Sequence, residues 1–89
     1  MQVRPKENEP QLVHNLSKGN LLAFNTLYKE YSGRLYRFAL GYLKSEEEAE
    51  ELVQEVFTKI WEKRSDLKEE LSFKSFLFTI AFNIIRKHF

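Results

Sequence analysis

Between Ser45 and Lys63 the chain reads SEEEAEELVQEVFTKIWEK, with apolar residues at Ala49, Leu52, Val53, Val56, Phe57 and Ile60. That is the i, i+3, i+4 spacing of one stripe on an α-helix, so any fold of this chain must bury one side of the segment. Ser45 marks the start. Its hydroxyl is placed to cap the first turn while Glu48 reaches back in a capping box, a cap worth about 1 kcal/mol. At about 100° per residue, the opposite face carries Glu47, Glu51, Gln54, Glu55, Thr58 and Glu62, with Trp61 at the border. On pattern alone such a face reads first as a solvated exterior, since acidic side chains are favoured near a helix N-terminus and charge runs rarely need a partner. A docking surface is the alternative.

The 89 residues make one small domain with room for a single core. A hydrophobic content of 43% with only 3 Gly and 2 Pro favours a folded, helical chain over a disordered one. The expected fold is all-α, a small bundle of about four helices. With no cysteine, disulfide staples and thiolate metal sites are excluded. No stretch has the length of a membrane span, and MQVRPKENEPQ lacks the apolar core of a signal peptide, so a cytoplasmic location without membrane insertion is expected. The net charge is +1, but its distribution is lopsided. Ser45–Phe57 holds six Glu and no Lys or Arg, whereas Ser72–Phe89 holds Lys74, Arg86 and Lys87 and no acid. Surfaces of opposite sign point to two different partners.

Met1 to Glu9 is polar and expected to fray, so residues 1–9 read as a flexible N-terminus and 10–89 as the folded domain. Pro10 suits a helix start, and Leu12, Val13 and Leu16 give a short helix one apolar edge. At Ser17-Lys18-Gly19-Asn20 the chain stops and restarts, with Gly19 suited to the left-handed conformation and Asn20 to capping the next helix. From Leu21 to Leu43 the apolar positions Phe24, Leu27, Tyr28, Tyr31, Leu35, Phe38, Ala39 and Tyr42 predict one long helix. It should bend or turn irregular at Gly33. The acidic helix follows and stops near Lys63-Arg64, where basic side chains suit a helix end.

Arg64–Leu71 is a charged connection without apolar periodicity. Ser72 can cap the last helix, with Leu71 and Phe76 placed for a hydrophobic staple. Its core stripe is Phe73, Phe76, Leu77, Ile80, Ala81 and Ile84, and a second apolar line runs through Phe78, Phe82, Ile85 and Phe89. Each buried Phe contributes roughly 1.5–3 kcal/mol, so most must serve the core; Phe78, Phe82 and Phe89 are the ones expected at the surface. The chain ends at Phe89 without a helix-stop signal, which reads as a truncation.

Neither His14 nor His88 has a partner at ligand or triad spacing. There is no Gly-rich phosphate loop and no paired carboxylate in an apolar setting, and the Glu cluster lacks the turn glycine and alternating ligands of a calcium loop. No enzyme, cofactor or metal is expected.

The order of segments closely resembles region 2 of bacterial RNA polymerase sigma factors of the extracytoplasmic function (ECF) group, in the sigma-70 family. LLAFNTLYKEY follows a Gly-Asn turn, then come LYRFALGYL, EEAEELVQEVFTKIWEK and SFKSFLFTIAFNIIRKHF. AEELVQEVFTKIW is the most specific of these, being similar to the family's polymerase-docking helix. The resemblance implies that Gln54 and Glu55 contact the clamp coiled coil of the largest subunit of core RNA polymerase, with Leu52, Thr58 and Trp61 on the same surface. It further implies that the last helix and the connection before it engage promoter DNA at the −10 element, whose melted non-template strand offers unstacked bases. Arg64, Lys74, Thr79, Asn83, Arg86 and Lys87 are the residues expected there. Phe82 stands where the family commonly has a basic residue, and Lys87 where it often has an acid. An anti-sigma factor is an expected further partner, and a second sigma region with its linker is expected on the whole protein. The alternatives are a helical protein-interaction module using the second Phe line, an RNA reader, and a duplex-binding helix-turn-helix, for which Arg64–Leu71 is long.

Overall fold

The structure, a computed structural model, describes residues 9–68 and 72–88. The chain starts with α1 (Glu9–Ser17), which buries Val13 and Leu16. It stops at Gly19, which takes φ +89° while its N–H donates to the Leu16 carbonyl. A side chain there would strain the left-handed backbone. Asn20 then accepts a 2.9 Å hydrogen bond from the Ala23 N–H and caps α2 (Leu21–Leu43).

The long helix α2 runs as continuous α-helix through Ser32-Gly33, without the local irregularity expected there as one of two outcomes. It buries Ala23, Leu27, Tyr31, Leu35 and Ala39. Tyr28 and Tyr42, expected on that stripe, are exposed instead. Tyr28 is turned about 100° from Leu27, and Tyr42 lies in the final turn, where its ring is tilted against Phe38 and meets Phe82 edge-on.

Glu9, assigned above to the frayed tail, is helical and anchors α1 to α2. The Tyr31 hydroxyl donates to its Oε1 at 2.8 Å. Burial, helped by the Glu9 carboxylate, pushes the Tyr31 phenol well above its ordinary value. The folded chain therefore holds this proton more tightly than the unfolded chain. The resulting stabilisation is complete below the unfolded phenol's value of about 10 and is lost as pH rises above it. Alkaline melts followed by circular dichroism should show a steeper loss of Tm above about pH 10 in the wild type than in Tyr31→Phe. The substitution itself should cost about 1 kcal/mol at neutral pH.

Two residues join α2 to α3 (Glu46–Glu62). Lys44 closes the first helix in the left-handed conformation, φ +59°, with its N–H donating to the Leu40 carbonyl. Ser45 opens the second by accepting from the Glu48 N–H at 3.2 Å. Among the described residues the return half of the expected capping box is not formed, and the Glu48 side chain is exposed.

All six residues of the apolar stripe are buried in α3, which packs on both α2 and the last helix. A 3₁₀ turn, Arg64–Asp66, follows and contacts α1. Leu67 is buried beyond it, an apolar anchor inside the connection that carried no periodicity.

Ser72 accepts from the Ser75 N–H at 3.2 Å and caps α4 (Phe73–His88). Phe73, Leu77, Ile80, Ala81, Ile84 and Ile85 are buried. Three assignments therefore change. Phe76 is only half-buried, Phe78, expected at the surface, is half-buried against the core, and Ile85, placed on the outward line, is 6% exposed. The reason is that α4 is packed by both α2 and α3, so its buried arc is wider than a single stripe. Residues 1–8, the Leu71–Phe76 staple, the His88 side chain and Phe89 lie outside what the structure describes.

Candidate functional site

With the six apolar residues of α3 turned inward, Glu47, Glu51, Gln54, Glu55, Thr58 and Glu62 are all exposed, and Trp61 is half-buried at the border. Leu52 is not among the exposed residues of that surface. It is 4% exposed and packs with the core stripe, about 200° of helix rotation from Gln54, and reaches the outside only as part of the lining of a small pocket of about 230 Å³ edged by Glu48, Glu51 and Glu55.

Beside the acidic face lies a groove of about 530 Å³ between the start of α2 and the end of α3. Its floor is aromatic. Phe24 meets Phe57 at 5.9 Å and Trp61 at 5.3 Å, and Tyr28 meets Phe57 at 4.8 Å, all edge to face. This is the arrangement that aromatic quadrupoles favour. Gln54, Thr58 and Glu62 supply the polar rim, and Leu21 stands at the mouth, 61% exposed. Leu22 next to it is 78% exposed. The sequence reading passed over both leucines. Their signal was available, since they lie off the line of Ala23, Leu27 and Tyr31 that α2 buries.

On α4 the residues Lys74, Ser75, Thr79, Phe82, Asn83, Arg86 and Lys87 are exposed. Thr79, Asn83 and Ser75 join Phe78, Phe82 and, from α2, Phe38 around a pocket of about 390 Å³. Phe38 packs edge-on against Phe78 at 5.1 Å, and Tyr42 against Phe82 at 6.2 Å. Arg86 extends the row, its guanidinium 6.0 Å from the Phe82 ring centre. Of the expected nucleic-acid residues, then, Thr79 and Asn83 line the pocket and Arg86 flanks it, while Lys74 and Lys87 are exposed on the same helix. The contribution of Phe38 and Tyr42 was missed, because it comes from a helix about forty positions earlier in the sequence.

Arg64 is not part of this group. Its Nη1 donates to the Trp61 carbonyl at 2.7 Å, and its guanidinium lies 4.1 Å over the Trp61 ring centre. It closes the end of α3 instead of reaching toward α4. Among the described residues no cluster of His, Cys, Asp and Glu could hold a metal ion, and no helix is long and apolar enough to cross a membrane.

A small all-α domain with an acidic, groove-bordered face on one helix and an aromatic, cation-flanked pocket on another is built for binding. The family model for Sigma-70 region 2 matches residues 27–89, well over half of the chain, and the chain belongs to that family. It is 25% identical over 83 residues to the RNA polymerase sigma-H factor of Pseudomonas aeruginosa, an alignment covering 93% of this chain and 43% of that protein. The chain thus spans less than half the length of this curated relative. No solved structure gives a significant match.

Proposed function

We propose that this chain is the region 2 domain of an ECF-type sigma factor, a non-enzymatic, cytoplasmic specificity module. It docks on core RNA polymerase through α3 and holds the melted non-template strand of the promoter −10 element with α4. The observation that carries the reading is the segregation of chemistry in a sigma-70 region 2 chain. Carboxylates and amide crown α3, whereas aromatic rings, hydroxyl, amide and cations cluster on α4.

Gln54 and Glu55 contact the clamp coiled coil of the largest subunit, with Thr58 and Trp61 beside them. On α4, Phe82 and Phe38 offer ring faces and edges to an unstacked base, Thr79 and Asn83 offer hydrogen bonds to its edge, and Lys74, Arg86 and Lys87 hold phosphates. An anti-sigma factor would act by covering either surface. The rival reading, a protein-interaction module using the second apolar line of α4, draws less support because Ile85 is buried and Phe78 is half-buried against Phe38.

The test is binding of a single-stranded oligonucleotide carrying candidate −10 sequences. About three phosphate contacts give a slope of log K against log salt near −2, and Lys87→Ala should bring it about 0.7 closer to zero. Asn83→Ala and Phe82→Ala should each weaken binding by about 1–3 kcal/mol. A slope near zero, or a preference for intact duplex, rejects the α4 assignment.

A further inference from the structure

Arg64 stands at a joint of three elements. Its Nη1 donates to the Trp61 carbonyl at 2.7 Å, adding a side-chain donor to an oxygen of the last turn of α3 that the Lys63 N–H also approaches. Its guanidinium carbon sits 4.1 Å over the Trp61 ring centre, inside the range in which an aromatic face attracts a cation. Its Nε lies 3.7 Å from the point where a side chain on Gly19 would begin, so the α1–α2 turn passes close beside it. Trp61 is also met edge-on by Phe24 of α2 at 5.3 Å. The ring is therefore fixed in the groove that Gln54 and Thr58 border.

We infer that Arg64 is a positioning residue for the docking groove, holding the Trp61 indole as its wall before any partner arrives, and that it is not a phosphate contact. The inference rests on the reading of α3 as the polymerase-docking face. A half-exposed indole that must be ordered on binding costs affinity, and fixing it beforehand removes that cost. The geometry asks for arginine in particular. One group lies over the ring and at the same time donates to the carbonyl, which the compact ammonium of lysine cannot do at once.

The experiment uses the 89-residue chain and its single tryptophan, whose emission reports on the ring in question. A polypeptide carrying the clamp coiled coil is titrated against the wild type, Arg64→Ala, Arg64→Lys and Glu55→Lys, and a single-stranded oligonucleotide is titrated in parallel. Arg64→Ala should lower coiled-coil affinity about tenfold, reduce the Trp61 emission anisotropy, and leave oligonucleotide binding and its salt dependence at the wild-type level. Arg64→Lys should restore neither affinity nor emission. Recovery of both by lysine would overturn the inference. So would wild-type coiled-coil affinity in Arg64→Ala when Glu55→Lys weakens it, or a loss confined to the oligonucleotide with a salt slope about 0.7 smaller. If Glu55→Lys itself leaves the affinity unchanged, the reading of α3 fails and this inference falls with it. Far-UV circular dichroism checks the fold; should Arg64→Ala unfold, Arg64→Lys decides on the same terms.

Discussion

Reversing the charge at Glu55 with a Glu55→Lys substitution lowers affinity for the clamp coiled coil by about 2–5 kcal/mol without loss of helical content. Glu55 is exposed on α3, and no core contact depends on it. An ordinary exposed ion pair contributes only about 0–1 kcal/mol. The larger effect is expected because reversal removes an attraction and also sets two like charges against each other at a desolvated contact. Titration calorimetry with the isolated coiled coil measures it, and raising the salt concentration should shrink the difference. Wild-type affinity in a folded Glu55→Lys protein sinks the docking assignment.

Ile60→Ala produces the opposite pattern: the fold weakens first, and docking is lost with it. Ile60 is fully buried on α3, the helix that packs on α2, α4 and the 3₁₀ turn. Truncating a buried Ile costs about 2–5 kcal/mol, the lost transfer energy plus the cavity left behind. Total stabilities run to about 5–15 kcal/mol, and a domain this small belongs near the lower end. Urea unfolding should therefore show a much lower midpoint at an unchanged slope. A loss under about 1 kcal/mol, well below that range, would mean that neighbouring side chains collapse into the space and that α3 is not the central layer.

What the sequence disclosed and what it hid divide along a physical line. The two faces of α3 were legible because helical periodicity alone decides them, and the caps at Asn20, Ser45 and Ser72 were legible because a single side-chain oxygen does the work. Leu67 was not, since one buried residue in a charged connection has no period. Ile85 and Phe76 exchanged roles because the buried arc of α4 depends on where two other helices touch it. The aromatic pocket joins Phe38 of α2 to Phe78 and Phe82 of α4, and no local pattern links residues that far apart. Arg64 looked like a free cation because the carbonyl and ring it engages belong to the helix it follows. Lys44 gave no sign of its left-handed backbone, a conformation more often taken by glycine.

That corner between α2 and α3 fixes more than direction. Both connecting residues are committed, Lys44 to ending one helix and Ser45 to starting the next, and neither is left to absorb a change in length. A residue added or removed there would break one of these caps, and each residue that α3 had to take in or give up to restore it would turn the helix by about 100° about its own axis. Half its apolar stripe would swing toward water, and part of its carboxylate row toward the core. The length of a two-residue link is thus a phase setting, deciding which side of α3 the outside world meets.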